Sequence, residues 1–172
     1  AFGVFEEDGH WVMGPQKKLH TGNWIPQGYP FYCGAMLYHA ELAYRGEKKV
    51  SIHVPEQETT ALSVSVNGRS CGCLNLNGCK GKDITKQLQV GKNSITLRLC
   101  ASLKNYFGPH FDPDHPRKKA WPQMWRQYMS AEPAASDYDL IPYGLEGTAE
   151  IEKAYPMQLN LPGTIQYQGR NL

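Results

Sequence analysis

Apolar and polar side chains alternate with a period of two along several segments of the chain. In residues 61–66, Leu62, Val64 and Val66 alternate with alanine and serine. Successive side chains of a β-strand point to opposite faces, so this pattern predicts a strand with one buried face. The same alternation predicts further strands over residues 36–44, 49–54 and 94–100, and a weaker one over 145–154.

The residues between these segments favour tight turns. Asn67-Gly68 directly follows a predicted strand, and Asn-Gly is the preferred pair of a two-residue hairpin turn. Asp83 is placed to cap one short turn of helix, in which Ile84 and Leu88 lie four residues apart. No segment has a sustained helical period. We therefore predict an all-β fold, an antiparallel β-sandwich or jelly roll, formed by residues 1–172 as a single domain.

Composition and charge exclude several classes of function. The 172 residues include 18 basic and 16 acidic side chains, for a net charge of +2. This balance argues against nucleic acid as a partner, because no extended basic field is present. No apolar stretch approaches the roughly 20 residues that span a bilayer, so no membrane insertion is expected. We expect a monomer.

The five cysteines do not follow the spacing of a structural zinc site. Cys71, Cys73 and Cys79 are close in sequence, but the paired C-x-x-C pattern is missing. A chain of this length does not need disulfides for stability. Most of the thiols are expected to be reduced, and one disulfide remains an alternative.

Two aromatic-rich stretches interrupt the alternation and are the candidates for binding. Within residues 103–142, Trp121, Trp125 and Tyr128 are interleaved with polar residues that include Arg126. Aromatic rings pack on the apolar faces of sugars while neighbouring polar groups bind the hydroxyls, so this segment predicts carbohydrate binding. The alternative is that these rings form a small core of their own for the loop.

The second aromatic stretch covers residues 22–34 and contains Trp24 and Tyr29. Both are candidates for sugar contact, although at least one ring of this stretch is expected to enter the sandwich. Asn105 and His110 could either bind a ligand or fix the long loop. His110 also lies near two aspartates and a second histidine, which leaves a metal site as a further alternative. Trp11 is expected to be a strand residue that packs in the core or at an edge.

Catalysis is not predicted. The carboxylates that cleave a glycosidic bond must face each other across a sugar. Asp112 and Asp114 are two residues apart in a loop, and Glu6, Glu7 and Asp8 form an acidic run without an evident partner. Neither set has the arrangement that glycoside cleavage needs, so we expect no enzymatic activity.

Several segments of the sequence together resemble a known family. The segments that carry the resemblance are 28–34, 64–68, 83–85, 91–93, 95–97, 102–110 and 138–145. They are similar to the sugar-binding jelly roll of family 2 glycoside hydrolases, a member of the galactose-binding-like superfamily, and to accessory domains of α-L-rhamnosidase-like enzymes. The Asn-Gly to Gly-Lys-Asn spacing is moderately specific for that fold and weakly specific for function.

The resemblance implies an eight- to nine-stranded sandwich excised from, or attached to, a larger bacterial glycoside hydrolase. Its implied partners are a polysaccharide or oligosaccharide and the catalytic domain of that enzyme, in an extracellular or cell-surface location. Members of the superfamily often hold a structural calcium, but no calcium motif can be placed on this sequence. The function expected is a non-catalytic carbohydrate-binding module, with a structural accessory domain that binds no sugar as the alternative.

Overall fold

The computed structural model describes residues 2–74, 81–108, 110, 134–153, 155–158 and 165–168. Nearly all regular structure in these ranges is β-strand. The strands are β1 Phe2–Glu7, β2 His10–Pro15, β3 Gly22–Asn23, β4 Ala35–Tyr44, β5 Val50–His53, β6 Ala61–Val66, β7 Arg69–Cys73, β8 Gly81–Asp83, β9 Gly91–Cys100, β10 Gly144–Leu145, β11 Glu150–Lys153, β12 Tyr155–Gln158 and β13 Ile165–Gln168. Within the described ranges, helix is limited to α1, Lys104–Phe107, and to short 3-10 turns at Ile25–Gln27, Thr85–Gln87 and Ala135–Asp137.

Two antiparallel sheets form the body of the protein. One has five strands in the order β13-β4-β9-β6-β7, and the other has four in the order β12-β11-β5-β8. The longest pairing joins β4 and β9, from Ala35 opposite Cys100 to Tyr44 opposite Gly91. Two small ladders, β1-β2 and β3-β10, lie outside these sheets. The all-β sandwich predicted from the alternation is confirmed.

The core lies between the inner faces of the two sheets. The residues predicted to face inward from β6 are buried, with Leu62 2%, Val64 1% and Val66 0% exposed. They belong to one hydrophobic cluster with Ile52 and Ile151 of the four-stranded sheet. Burying each such side chain contributes about 1.5–3 kcal/mol, so these inner faces stabilise the sandwich.

The predicted turns are mostly confirmed. Asn67 and Gly68 both have positive φ, of 50° and 76°, and Val66 pairs with Arg69 across them. This is the backbone that a two-residue hairpin turn needs. The Asp83 carboxylate accepts a hydrogen bond from the Thr85 amide at 2.9 Å, but the turn that follows is a 3-10 turn.

The strand predicted over residues 145–154 is two separate strands. β10 ends at Leu145 and β11 begins at Glu150, and they belong to different ladders. Gly147 lies between them with φ of 73°, so the chain turns there instead of continuing in extended form.

Four of the five cysteines fall in the described ranges, and none of these four forms a disulfide. Cys71 is buried on β7, and burial raises the pKa of its thiol. Cys79 lies outside the described residues. No helix in the described part of the chain is long and apolar enough to cross a membrane.

Candidate functional site

The N-terminal hairpin, which the alternation did not predict, builds one wall of the candidate site. β1 and β2 pair antiparallel from Phe2 opposite Pro15 to Glu7 opposite His10. Asp8 and Gly9 form the turn with φ of 51° and 81°. Asp-Gly is a preferred pair of a two-residue hairpin turn, so this hairpin could have been predicted from the sequence. Trp11 lies in β2, as expected of a strand residue.

Phe5 anchors this hairpin to the rest of the protein. Its ring is buried over backbone that carries no side chains, because a Cβ at Gly3 or Gly28 would approach ring carbons of Phe5 to 2.8 or 2.7 Å. The Val4 amide donates a hydrogen bond to the Gly28 carbonyl at 2.9 Å. The Ala135 amide donates to the Gly9 carbonyl at 2.7 Å, which ties the hairpin turn to a distant segment.

These contacts enclose a cleft of about 450 Å³. It lies between the hairpin, the 3-10 turn at Ile25–Gln27 and the segment 135–140. Its lining combines rings, carboxylates and a cation, contributed by Phe5, Glu6, Glu7, Trp11, Lys17 and Tyr138. Ser136 adds a hydroxyl group. The volume lies within the range of sites for small organic ligands, about 300–1,000 Å³.

A cluster of four rings supports the aromatic wall of the cleft. The Trp11 ring lies 5.2 Å from Phe31 and 5.7 Å from Tyr138, measured between ring centroids, and both contacts are edge-on. His110 lies 5.4 Å from Tyr138 and 5.6 Å from Phe31. Aromatic pairs at these separations are favourable, so the cluster fixes the orientation of Trp11 and Tyr138, two of the three described aromatic rings that line the cleft.

Two details distinguish the rings of the cleft from one another. Lys17 Nζ lies 4.6 Å from the centroid of Phe5, so one face of that ring is already in contact with a cation.

The Trp11 indole nitrogen is buried and has no hydrogen-bond partner among the described residues. Buried donors are nearly always bonded, and an unpaired one costs about 1–3 kcal/mol. Trp11 is therefore held by ring packing and not by its polar group.

Behind the aromatic wall, α1 is joined to the segment 139–141. Asn105 is 1% exposed, and its side-chain amide donates to the carbonyls of Pro30 at 3.0 Å and Ile141 at 2.9 Å. Its side-chain oxygen accepts from the Ile141 amide at 2.8 Å. Lys104 forms a buried ion pair with Asp139 at 3.1 Å, and Asp139 donates its amide to the His110 carbonyl. These bonds fix the segment that carries Tyr138.

The electrostatics of His110 follow from this position. Burial lowers the pKa of its imidazole, and the neighbouring Lys104 cation lowers it further. The Asp139 carboxylate acts in the opposite direction but does not cancel these two effects. His110 is consequently neutral at pH 7 and packs as an aromatic ring.

The structure places the sequence-predicted residues in different surroundings. Trp24 is 1% exposed, and its indole nitrogen donates to the Tyr38 hydroxyl at 2.7 Å, so it belongs to the core. Tyr29 is half-buried and packs edge-on to Tyr32 at 5.9 Å. Asn105 and His110 lie behind the cleft, where they fix its wall. The other four candidates lie outside the described residues, namely Trp121, Trp125, Arg126 and Tyr128.

Trp24 and Asn105 are thus buried residues with structural roles, whereas a side chain that contacts sugar must be exposed. The sequence predicted that at least one ring of the stretch 22–34 enters the sandwich, but it did not identify that ring as Trp24. The sequence reasoning missed the cleft formed by Glu6, Glu7 and Trp11, because the acidic run had no evident partner. The Asp8-Gly9 turn places Trp11 opposite Glu6, and the distant segment 135–140 contributes further residues to the lining of the cleft.

Metal-ligating side chains do not converge in the described ranges. No group of three or more histidine, cysteine, aspartate or glutamate side chains there could hold a metal ion. The alternative metal site at His110 also involves Asp112, Asp114 and His115, which lie outside those ranges.

Comparison with known proteins finds a similarity to a solved structure. No family model matches the chain, and no curated protein matches it. A solved structure of a rhamnosidase from Novosphingobium sp. PP1Y is similar, with 15% sequence identity and a TM-score of 0.48. The similarity covers 87% of this chain and 14% of the rhamnosidase chain.

Proposed function

We propose that this domain is a non-catalytic carbohydrate-binding module, and that a polysaccharide segment binds in the cleft beside Trp11 and Tyr138. The observation that carries the proposal is the lining of this cleft. It sets two half-buried rings beside the carboxylates of Glu6 and Glu7 and the hydroxyl of Ser136. Sugars present apolar C–H faces and many hydroxyls, and this lining offers a partner for each.

The arrangement of the carboxylates supports binding without cleavage. Glu6 and Glu7 are consecutive residues of β1, and both line the same cleft. A glycosidase pair faces its substrate from two sides, with the carboxyl groups about 5–10 Å apart across the scissile bond. Two neighbours on one strand are better suited to separate hydrogen bonds with hydroxyl groups.

The cleft also relates to the aromatic loop predicted from the sequence. His110, which precedes the segment 111–133, packs on Tyr138, and Ala135, two residues after that segment, lines the cleft. Trp121, Trp125, Arg126 and Tyr128 lie within that segment and stay predictions of the sequence for carbohydrate binding. We expect affinities in the micromolar range or weaker, because a flexible glycan loses conformational freedom on binding.

Affinity electrophoresis of the purified chain against soluble polysaccharides, with and without EDTA, tests this function. Retardation by at least one polymer is expected, and Trp11→Ala should weaken it at least about tenfold because the main apolar contact is removed. Loss of retardation in EDTA would reveal a metal requirement.

Tyr106→Ala is the matched control, because Tyr106 is 49% exposed on α1 and does not line the cleft. Circular dichroism and urea unfolding establish that both variants fold. Equal retardation of Trp11→Ala and Tyr106→Ala would contradict the placement of the ligand in the cleft.

A second function, a structural accessory domain of a glycoside hydrolase, is favoured by a different surface. Leu103, Tyr106 and Phe107 of the α1 region are 57%, 49% and 61% exposed. Clustered exposed apolar side chains are typical of an interface with another domain. In that case Leu103→Ser and Phe107→Ser would weaken association with a catalytic domain, while the isolated chain would bind no polysaccharide.

A further inference from the structure

The charged groups that line the cleft indicate which kind of sugar it accepts. Three charged residues line it in the described part of the chain, namely Glu6, Glu7 and Lys17. The net charge of these described lining residues is therefore −1. The chain as a whole carries +2, so the negative lining is a local property and not a consequence of overall composition.

Lys17 is not positioned as an anion receptor. Its ammonium group lies over the Phe5 ring, 4.6 Å from the centroid, and Phe5 is itself fixed over Gly3 and Gly28. A bound carboxylate would have to draw Lys17 away from this ring or bind beside two like charges. Hydroxyl groups, in contrast, can donate hydrogen bonds to both glutamates without displacing the lysine.

From this lining we infer that the cleft selects neutral, hydroxyl-rich sugar units and discriminates against uronic acids. The inference rests on the proposed function and specifies its ligand class. All three groups are on side chains that are exposed to solvent, so the discrimination is moderate and depends on salt. We expect an acidic polymer to bind about three- to tenfold more weakly than its neutral counterpart at low ionic strength. The difference should shrink at 0.5 M NaCl.

The test compares polymers that differ in charge but share a backbone. The pairs are mannan with mannuronan, methyl-esterified with de-esterified polygalacturonan, and xylan with glucuronoxylan. The native chain should prefer the neutral member of each pair that it binds. The double variant Glu6→Gln/Glu7→Gln leaves Lys17 as the one charge of the described lining, so its preference should shift towards the acidic member by a factor of three or more.

A control variant separates local from overall charge. Glu41→Gln/Glu150→Gln makes the same change in net charge on β4 and β11, away from the cleft, and should leave the preference unchanged. Binding to no polymer, neutral or acidic, would overturn the proposed function and this inference with it, whereas binding only to the acidic members would overturn the inference alone. Neutral binding that is lost in Trp11→Ala, together with equal affinity for the acidic members or no response to Glu6→Gln/Glu7→Gln, would overturn the inference alone.

Discussion

Asn105 shows how one buried amide can hold distant parts of the chain together. All the hydrogen bonds described for its side chain go to backbone groups, one at Pro30 and two at Ile141. Pro30 directly precedes Phe31 in the chain, and Ile141 lies three residues after Tyr138. The residue therefore positions the aromatic wall of the cleft without reaching the ligand.

Replacement of Asn105 by alanine tests this role. Asn105→Ala leaves the Pro30 carbonyl and the Ile141 amide without this partner in a site that is closed to water, while the Ile141 carbonyl keeps its bond from the Tyr143 amide. We therefore expect a loss of about 2–4 kcal/mol in unfolding free energy. Urea denaturation measures it, with Tyr106→Ala on the same helix expected to stay within about 0.5 kcal/mol. Unchanged stability with weakened polysaccharide binding would instead assign Asn105 to direct ligand contact.

Trp11 and Trp24 show where residue-level prediction reaches its limit. Both are tryptophans near turn-forming residues, and the sequence analysis gave Trp24, but not Trp11, as a candidate for sugar contact. In the fold, Trp24 is buried with a hydroxyl partner, whereas Trp11 is half-buried at a cleft. Trp24 contacts Tyr38, and Trp11 contacts Tyr138. Both partners are distant in sequence, so the residues around each tryptophan do not indicate which of the two is buried.

At the scale of secondary-structure elements, the cleft depends on the N-terminal hairpin, which forms one of its walls. An isolated two-stranded hairpin is at best marginally stable, so β1-β2 depends on its docking through Phe5. The alternation predicted β4, β5, β6 and β9, and β11 as part of a weaker segment, because each buries one face. It did not predict the other four strands of the two sheets, β7, β8, β12 and β13. It did not predict β1, where Val4 and Phe5 are adjacent and two glutamates follow. The Asp8-Gly9 turn and the contact with Gly28 form this element instead.

A pair of glycine variants isolates the docking contact. Gly28 and Gly46 have nearly the same φ, 95° and 93°, so alanine costs each about 1 kcal/mol of backbone strain. A Cβ at Gly46 meets no atom within 4 Å, whereas one at Gly28 comes within 2.7 Å of the Phe5 ring and 3.1 Å of the Gly3 backbone.

We expect Gly28→Ala to lose about 1–3 kcal/mol more than Gly46→Ala in urea unfolding, because the hairpin must shift to relieve the overlap. The same variant should lose polysaccharide binding, since Glu6, Glu7 and Trp11 all lie on the hairpin. Equal losses of stability in the two variants, with binding retained, would show that the docking of Phe5 does not maintain the cleft.

On the scale of the whole molecule, the sandwich is a scaffold that holds a site at its margin. The two main sheets share one hydrophobic cluster, and the residues of the cleft come from outside those sheets, in the hairpin, the turn at 25–27 and the segment 135–140. The fold class was therefore predictable from the period of two. The site was not, because its walls meet only after folding has brought the N-terminal hairpin and the distant segment 135–140 together.

The most direct measurement is an NMR titration of the isotopically labelled chain with a neutral oligosaccharide. The four tryptophans give separate indole N–H signals, which report on the cleft (Trp11), the core (Trp24) and the two sequence-predicted loop positions (Trp121 and Trp125). Saturable shifts at Trp11 and at the amides of Glu6, Glu7 and Ser136, with Trp24 unchanged, are the predicted result. Shifts confined to Trp121 and Trp125, or no shift with any neutral oligosaccharide, would contradict a carbohydrate site in this cleft.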